Sequence, residues 1–429
     1  MNDRATAIES LLASSPTTGS PSWYEADRSE RMRRWWLEMM RTGNQVTEKL
    51  AFLWHGHFCS ALGEVEKGHM IQQVQLFRRD GIGNFATFAR DIALQPAMLN
   101  YLDNEYNMVR KSSSGAIVGV PQENFGRELL ELFLLGVVDA NGNPNYTEAD
   151  VKACAAAWTG HNTREPDILK DGIEALDGLT RYQFYPDRHD DRPKTFLGVT
   201  RNWDGPEIIE FLCTDSKWRT VVASHIARKL FAGYAYPDPS ESVIAPIAAA
   251  FASTLNVKDL LRAIFRSDAF WSEQARTGLV RQPVDFAVSI LRVLNVSAHD
   301  AAAEHFLPGT GQELFSPPNV SGWRPNAYWL STSALQARAD LAHELVRYRV
   351  FGDGQPAFLS AVTSLATTDP AAAVRLAFES FGIVDEPYPA ARRQAETWLR
   401  DEVAKNASSR HLIAGLATMV ILSPDFQMA

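Results

Sequence analysis

Two histidines, His55 and His57, end a mostly apolar stretch in the segment Trp54–Phe58. Imidazole can act as an acid, a base or a metal ligand near neutral pH. Residues two apart on a helix point about 200° away from each other, so a regular helix cannot let both bind one ion. We therefore expect two buried core histidines, or a site in which His57 faces a polar cleft.

A polar stripe at helical spacing lies further along the chain. It consists of Asn124, Arg127, Glu128 and Glu131, and apolar residues occupy the opposite face. A solvated helix face would explain it. In the alternative, Glu128 is a base or, with His55 and His57, a metal ligand, while Arg127 and Asn124 bind an anionic group.

Two irregular segments carry further candidates. In the first, His189, Asp190 and Lys194 crowd a predicted loop, where they could supply an acid–base pair or bind a ligand. In the second, Trp323 and Trp329 lie among turn residues, a composition suited to stacking on a sugar or another flat ligand. The alternatives are a charged, solvated loop tip and a proline-rich segment whose aromatic residues pack on helices.

A loop between two predicted helices has part of the spacing of a calcium-binding loop. Its oxygen-bearing side chains include Asp139, Asn141, Asn143 and Asp150. Pro144 stands where such a loop needs glycine, and Asp150 replaces the longer bidentate Glu. The competing interpretation is a tight turn, followed by a capping box in which Thr147 and Asp150 start the next helix.

The strongest functional hypothesis brings several of these segments together. A buried His57 needs a polar partner, because an unpaired buried polar group costs about 1–3 kcal/mol. We therefore predict that His57, Glu128 and His189 approach one another across a cleft, with Arg127 beside them. A divalent metal ion is compatible with these side chains, and no other cofactor is indicated.

Composition narrows the class of protein. The formal net charge is −9, and the basic residues are scattered, which argues against nucleic acid as a partner. No apolar run is long enough to span a membrane, and the first residues lack a secretory signal, so we expect a cytoplasmic protein. The three cysteines show no metal-binding or disulfide spacing. Motifs of serine hydrolases, zincins, NTPases and dinucleotide-binding proteins are also missing.

Helical periodicity dominates the chain. We predict an all-α fold, a large multi-helix assembly with one short β-hairpin formed by Arg181–Tyr185 and Thr195–Thr200. The hairpin lies in an irregular insertion at about 161–205. Residues 1–44 are predicted to be an N-terminal helical extension, and residues 45–429 a single helical domain.

Several sequence blocks carry a family resemblance. They are Gly83–Asn107, Glu123–Val137, Tyr146–His161, Arg188–Gly198 and Phe315–Leu330, together with Trp54–Phe58, the KLF turn at Lys229 and the closing Ser423–Gln427. In content and order they resemble the bacterial family called domain of unknown function 1800, from about Ala51 to the C-terminus. The resemblance implies a helical bacterial protein of a family to which no activity is assigned. Members are often exported and often encoded beside sulfatase-like proteins of domain of unknown function 1501, which makes such a protein an expected partner.

Two functions follow as hypotheses. The first is a hydrolase-like or metal-assisted enzyme with a polar cleft. The second is a non-catalytic binding or accessory protein for a sulfatase-like partner or a glycan. Convergence of the His57, Glu128 and His189 segments on one enclosed pocket would favour the enzyme.

Overall fold

The computed structural model describes residues 2–13, 19–22, 27–114, 116–172, 177–301, 303–324, 326–351, 356–384 and 387–428. Helices dominate, and the strands are few and short, so the predicted all-α class is confirmed. Buried apolar side chains form one continuous cluster that extends from Ile8 to Phe426. Residues of the predicted N-terminal extension, such as Trp35 and Trp36, belong to this cluster.

The first part of the chain is helical up to the insertion. Its α-helices are α1 (Asn2–Ala13), α2 (Ser29–Thr42), α3 (Gln45–His57), α4 (Lys67–Asp80), α5 (Phe85–Ala93), α6 (Pro96–Tyr101), α7 (Asn124–Glu128) and α8 (Glu148–Ala157). A two-stranded ribbon, β1 (Arg110–Lys111) and β2 (Ile117–Val118), lies between α6 and α7. Helix α7 continues directly into a π-helix, Leu129–Leu134.

The insertion corrects the predicted strand pairing. It contains two antiparallel pairs, β3 (His161–Arg164) with β4 (Arg181–Phe184) and β5 (Lys194–Phe196) with β6 (Val199–Arg201). The two segments predicted to pair with each other therefore belong to different sheets. Leu197 and Gly198 have φ of 47° and 83°, and two consecutive left-handed residues make the tight turn that closes a hairpin within the second segment. A short helix, α9 (Ile168–Asp171), separates β3 from β4.

The rest of the chain is again helical. It contains α10 (Gly205–Thr214), α11 (Ser216–Tyr234), α12 (Glu241–Thr254), α13 (Val257–Arg266), α14 (Glu273–Thr277), α15 (Pro283–Leu294), α16 (Ala298–Ala301), α17 (Thr332–Phe351), α18 (Ala357–Ala366), α19 (Pro370–Ser380), α20 (Pro389–Ala404), α21 (Ser409–Leu422) and α22 (Pro424–Gln427). Neighbours in sequence pack on each other, as α11 does on α12 and α18 on α19. Helix α17 packs on both α15 and α21. None of the helices in the described ranges combines the length and apolar character needed to cross a bilayer.

Helix α3 is buried along most of its length. Apolar side chains such as Leu50 and Trp54 are buried on it, and so are three ionisable ones, Glu48, His55 and His57. The Glu48 carboxylate accepts hydrogen bonds from the Nε and Nη2 atoms of Arg78 on α4, at 2.9–3.1 Å. The Glu48 and Arg78 side chains are 1% and 4% exposed. Helices α3 and α4 are therefore joined by an ion pair that water does not reach.

This ion pair predicts a large effect of a single substitution. Glu48→Ala removes the carboxylate to which the buried Arg78 guanidinium donates three hydrogen bonds, so we expect the free energy of unfolding to fall by about 3–5 kcal/mol. Glu396→Ala is the matched control, because Glu396 pairs with Arg400 on the surface of α20, where the side chains are 33% and 55% exposed. The control should change stability by less than about 1 kcal/mol. Equal losses in urea unfolding of the two variants would contradict this account.

Candidate functional site

Three segments that are distant in sequence meet at the C-terminal end of α3. Two of these segments approach α3 closely because they have glycine at the point of contact. A Cβ atom on Gly233 of α11 would lie 2.6 Å from the Leu53 side chain. A Cβ atom on Gly322 would overlap the carbonyl oxygen of Gly56. Gly322 also has a φ of 79°, which side chains rarely adopt. The small residues let α11 and the segment around Trp323 approach α3 at backbone distance.

A pocket of about 270 Å³ lies where these segments meet. We call it the Trp323 pocket. Its walls are mostly apolar or aromatic, and its polar side chains are His57, Lys229, Gln282, Ser321 and Asn326. None of the described residues that line it is Asp or Glu. The pocket thus has the composition of a small-molecule site, with apolar walls and a few polar groups.

Lys229 is the only cationic side chain among the described residues of this lining. It is exposed at the pocket, and no hydrogen bond or ion pair to a described residue engages its amine. Burial of part of the side chain lowers the pKa of Lys229, and nearby Cys59 acts in the opposite direction. The pocket therefore offers a positive group to which the described lining residues supply no counter-charge.

Two neutral histidines fix the helices behind the pocket. The Nε2–H of His57 donates to the Phe133 carbonyl at 3.1 Å, and that of His225 on α11 donates to the Leu132 carbonyl at 2.9 Å. Carbonyls at the end of a helix lack partners within it, and here the two imidazoles supply them at the end of the π-helix. Burial lowers the pKa of His57, and the positive charge of Lys229 lowers it further.

His55 lies on the other side of α3, in the aromatic core. Its Nε2 accepts a hydrogen bond from the Phe315 backbone N–H at 3.2 Å, and its ring contacts Trp36 and Trp323 with centroids 5.2 Å apart in each case. Phe315 has a left-handed φ of 64°, a strained conformation for a bulky residue. The His55 hydrogen bond therefore helps to hold Phe315 in the conformation that starts the Trp323 segment.

A second group of polar side chains lies in the insertion. His161 on β3 contacts Asp204 through Nε2 at 2.6 Å and the Tyr182 hydroxyl through Nδ1 at 2.9 Å. We call His161, Tyr182 and Asp204 the His161 cluster. The His189 ring lies beside it, 6.4 Å from the His161 ring, and its Nδ1–H donates to the Thr159 carbonyl at 2.9 Å. Of the predicted site residues, His189 therefore belongs with this cluster.

Other residues predicted to bind a ligand make hydrogen bonds or ion pairs to groups of the protein. Asp190 binds the Arg192 guanidinium, and the buried Lys194 amine donates to the carbonyls of Arg192 and Trp203. Asn124 donates to the Leu102 carbonyl. These groups stabilise their own loops and helices. Trp329 is completely buried in the core, whereas Trp323 lines the pocket as a stacking residue would.

The polar stripe on α7 also differs from the predicted ligand site. Arg127 pairs with Glu123 at 3.0 Å and with Glu148 at 2.8 Å, so its guanidinium joins α7 to the start of α8. Glu128 is half-buried, and burial together with neighbouring Glu131 raises its pKa. Neither Arg127 nor Glu128 lines the Trp323 pocket.

The predicted convergence of His57, Glu128 and His189 is not seen. No hydrogen bond, ion pair or ring contact in the described part of the chain joins any two of them. The polar partner that buried His57 requires is a backbone carbonyl. Across the described ranges, no group of three or more His, Cys, Asp or Glu side chains is arranged to hold a metal ion, so the set His55, His57 and Glu128 is not a ligand cluster.

In the loop predicted as a calcium site, the carboxylate oxygens accept hydrogen bonds from backbone N–H groups of the protein. One Asp139 oxygen accepts the backbone N–H groups of Asn141 and Asn143 at 2.8 and 2.9 Å. Asp150 accepts from the Thr147 backbone at 2.8 Å with one oxygen and from the Leu197 backbone at 2.7 Å with the other. Thr147 and Asp150 form the predicted capping box of α8. These contacts account for the spacing of the loop without an ion.

Sequence reasoning did not single out Gln282, Asn326, His225, Tyr182 or Asp204. Lys229 and His161 appeared only as members of family blocks. A lysine on the apolar side of a helix was the available signal for Lys229. For the His161 cluster no local signal existed, because Asp204 is brought to His161 by the fold.

The buried histidines predict a specific pH dependence. Burial lowers the pKa of His225 from 6.5 to about 4. The unfolded chain therefore binds more protons between these values, and the free energy of unfolding falls as the pH drops from about 7 to 5, by about 1–2 kcal/mol for His225 alone. His225→Gln keeps an Nε2–H donor for Leu132 but cannot titrate, so it should lose correspondingly less stability over this range. His343→Gln removes an exposed histidine as the control, and identical pH profiles of unfolding for both variants would refute the assignment.

Comparison with known proteins gives one result at the level of family. A family model described as "Protein of unknown function (DUF1800)" matches residues 3–428. No curated protein and no solved structure matches the chain. The family match reaches further towards the N-terminus than the blocks that begin near Ala51. Because it covers nearly the whole sequence, the chain belongs to the DUF1800 family of proteins of unknown function.

Proposed function

We propose that this chain is a binding protein for a small anionic ligand with a flat face, and that the Trp323 pocket is its binding site. The observation that carries the proposal is the Lys229 amine, which no described residue pairs with, in a pocket whose described lining contains no Asp or Glu. The chain as a whole has 51 acidic and 42 basic residues. A lysine that no carboxylate neutralises in such a chain is suited to pair with a charge brought by a ligand.

The aromatic wall supports a ligand with a planar or apolar face. Trp323 lies in the lining, and its ring is supported by contacts with the rings of His55 and Phe52, at centroid distances of 5.2 and 6.0 Å. A supported indole is a rigid surface for stacking on a sugar ring or an aromatic ring. Cavities of about 150 Å³ accept benzene, so a pocket of about 270 Å³ has room for one substituted ring.

The described lining favours binding over the enzyme alternative. Metal-assisted hydrolysis needs several donor groups, and His57 is the single His, Cys, Asp or Glu side chain of this lining, with its Nε2–H donated to Phe133. A hydrolase-like mechanism needs a nucleophile beside a base, and the pocket's Ser321 is an exposed turn residue. A glycan carrying acidic groups fits both the cation and the indole. Location inside the cell and association with a sulfatase-like protein stay predictions.

Binding of matched charged and neutral probes tests the proposal. D-Glucuronate and benzoate should bind about tenfold or more tightly than D-glucose and benzamide, because a charge-assisted hydrogen bond contributes about 1.5–3 kcal/mol. Titration calorimetry on the full chain measures the four affinities. Lys229→Met should remove the preference for the charged probes, and Trp323→Ala should weaken binding of all of them.

The control is Lys152→Met, which removes an exposed lysine of α8 outside the pocket. It should bind the probes as the unmodified chain does. Lack of binding by both carboxylates at millimolar concentration, or equal loss in the Lys152 and Lys229 variants, would overturn the proposal.

A further inference from the structure

The His161 cluster has the connectivity of a proton relay. Tyr182 and His161 come from the two strands of one sheet, and Asp204 directly precedes α10. The His161 ring lies between the other two, at 2.9 Å from the Tyr182 hydroxyl and 2.6 Å from the Asp204 carboxylate. A hydroxyl, an imidazole and a carboxylate in this order are the arrangement by which enzymes activate a nucleophile.

The positions of the protons follow from the partners. Burial opposes ionisation of Asp204, but hydrogen bonds from His161 and from the Gly205 backbone lower its pKa, so the group is a carboxylate that only accepts. The Nε2 of His161 must then carry the hydrogen. In neutral imidazole the other nitrogen is an acceptor, so the Tyr182 O–H donates to Nδ1. Burial and Asp204 raise the pKa of Tyr182 to about 12, which keeps that donor proton in place at neutral pH.

The His161 ring is shielded from solvent, whereas both of its partners are partly exposed. His161 is 1% exposed and is enclosed by aromatic rings, with Trp158 at 4.9 Å and Phe184 at 4.8 Å between centroids. The Asp204 side chain is 43% exposed, and Tyr182 is half-buried. A half-buried phenol could be satisfied by water, so the fold by itself does not require its hydroxyl to bind His161.

From this geometry we propose that the Tyr182 hydroxyl is a nucleophile for activated acyl or sulfonyl compounds, with His161 as its base and Asp204 as the group that orients the base. In the step, the phenolic oxygen forms a bond to the carbonyl carbon or sulfur while its proton passes to Nδ1 of His161. The bond to the leaving group breaks, and the leaving group departs with the electron pair. His161, now protonated, returns the proton to the leaving group or to water. This activity is independent of ligand binding in the Trp323 pocket, whose described lining contains none of the three residues.

An arylsulfonyl fluoride is a direct probe, because it transfers its sulfonyl group to an activated phenol and releases fluoride. Labelling of the full chain, followed by mass spectrometry of peptides, gives the rate at each tyrosine. Tyr106 is the internal reference, since it is more accessible, at 67% exposed, and none of the histidines that the structure describes contacts it. We expect Tyr182 to be labelled faster than Tyr106, although exposure alone predicts the opposite order.

Two variants distinguish loss of Tyr182 activation from loss of the folded structure. His161→Gln preserves a polar side chain but removes the base, and should slow labelling of Tyr182 about 100-fold, the usual scale of general base catalysis. Asp204→Asn should give a smaller decrease. Tyr106 labelling and the melting temperature report on folding in both variants. Slower labelling of Tyr182 than of Tyr106 in the unmodified chain, or an unchanged Tyr182 rate in a folded His161→Gln variant, would overturn the proposal.

Discussion

Burial of α3 constrains the structure around it, because the ionisable side chains that this helix brings into the core make their hydrogen bonds to other elements of the protein. An isolated buried charge or imidazole would cost several kcal/mol. Glu48 is paired with Arg78, His55 with the Phe315 backbone, and His57 with the Phe133 carbonyl. The three partners lie on α4, on the segment leading to Trp323 and on the π-helix. These three contacts hold α4, the Trp323 segment and the π-helix against α3, and two of the elements concerned, α3 and the Trp323 segment, line the pocket.

The same constraint gives the π-helix a structural role. A π-turn interrupts the regular hydrogen bonding of an α-helix and is often found at functional sites. In this chain the carbonyls of Leu132 and Phe133 are directed to two imidazoles from different helices. The irregular turn therefore joins α3 and α11 without a charge. One turn beyond His225, α11 presents Lys229 to the pocket, so the histidine contact also positions the lysine.

Local patterns allowed much of the fold to be predicted, but little of the site. Helical periodicity identified α3 and α8, and the residue types identified the Thr147–Asp150 capping box. Helix α12 was not predicted, since Pro246 interrupts its pattern. The predicted strand pairing in the insertion was wrong because the true pairing depends on β3. No alternation of apolar and polar residues marks β3 in the sequence. Partners that come from distant segments, such as Asp204 for His161, follow from tertiary packing and leave no signal in spacing.

The contact between Gly56 and Gly322 has an evolutionary consequence. Gly322 cannot accept a side chain unless the Gly56 backbone withdraws, since a Cβ atom on Gly322 would overlap the Gly56 carbonyl, whereas a Cβ atom on Gly56 would lie 3.9 Å from the Trp323 ring, an ordinary contact distance. The constraint on selection therefore acts on Gly322, although most of the chain separates it from the helix that imposes it. Relatives in which Gly322 persists should have kept the pocket's outline, whatever their ligand has become. Those that lost it would have had to move the segment bearing Trp323, and with it the wall that defines ligand shape.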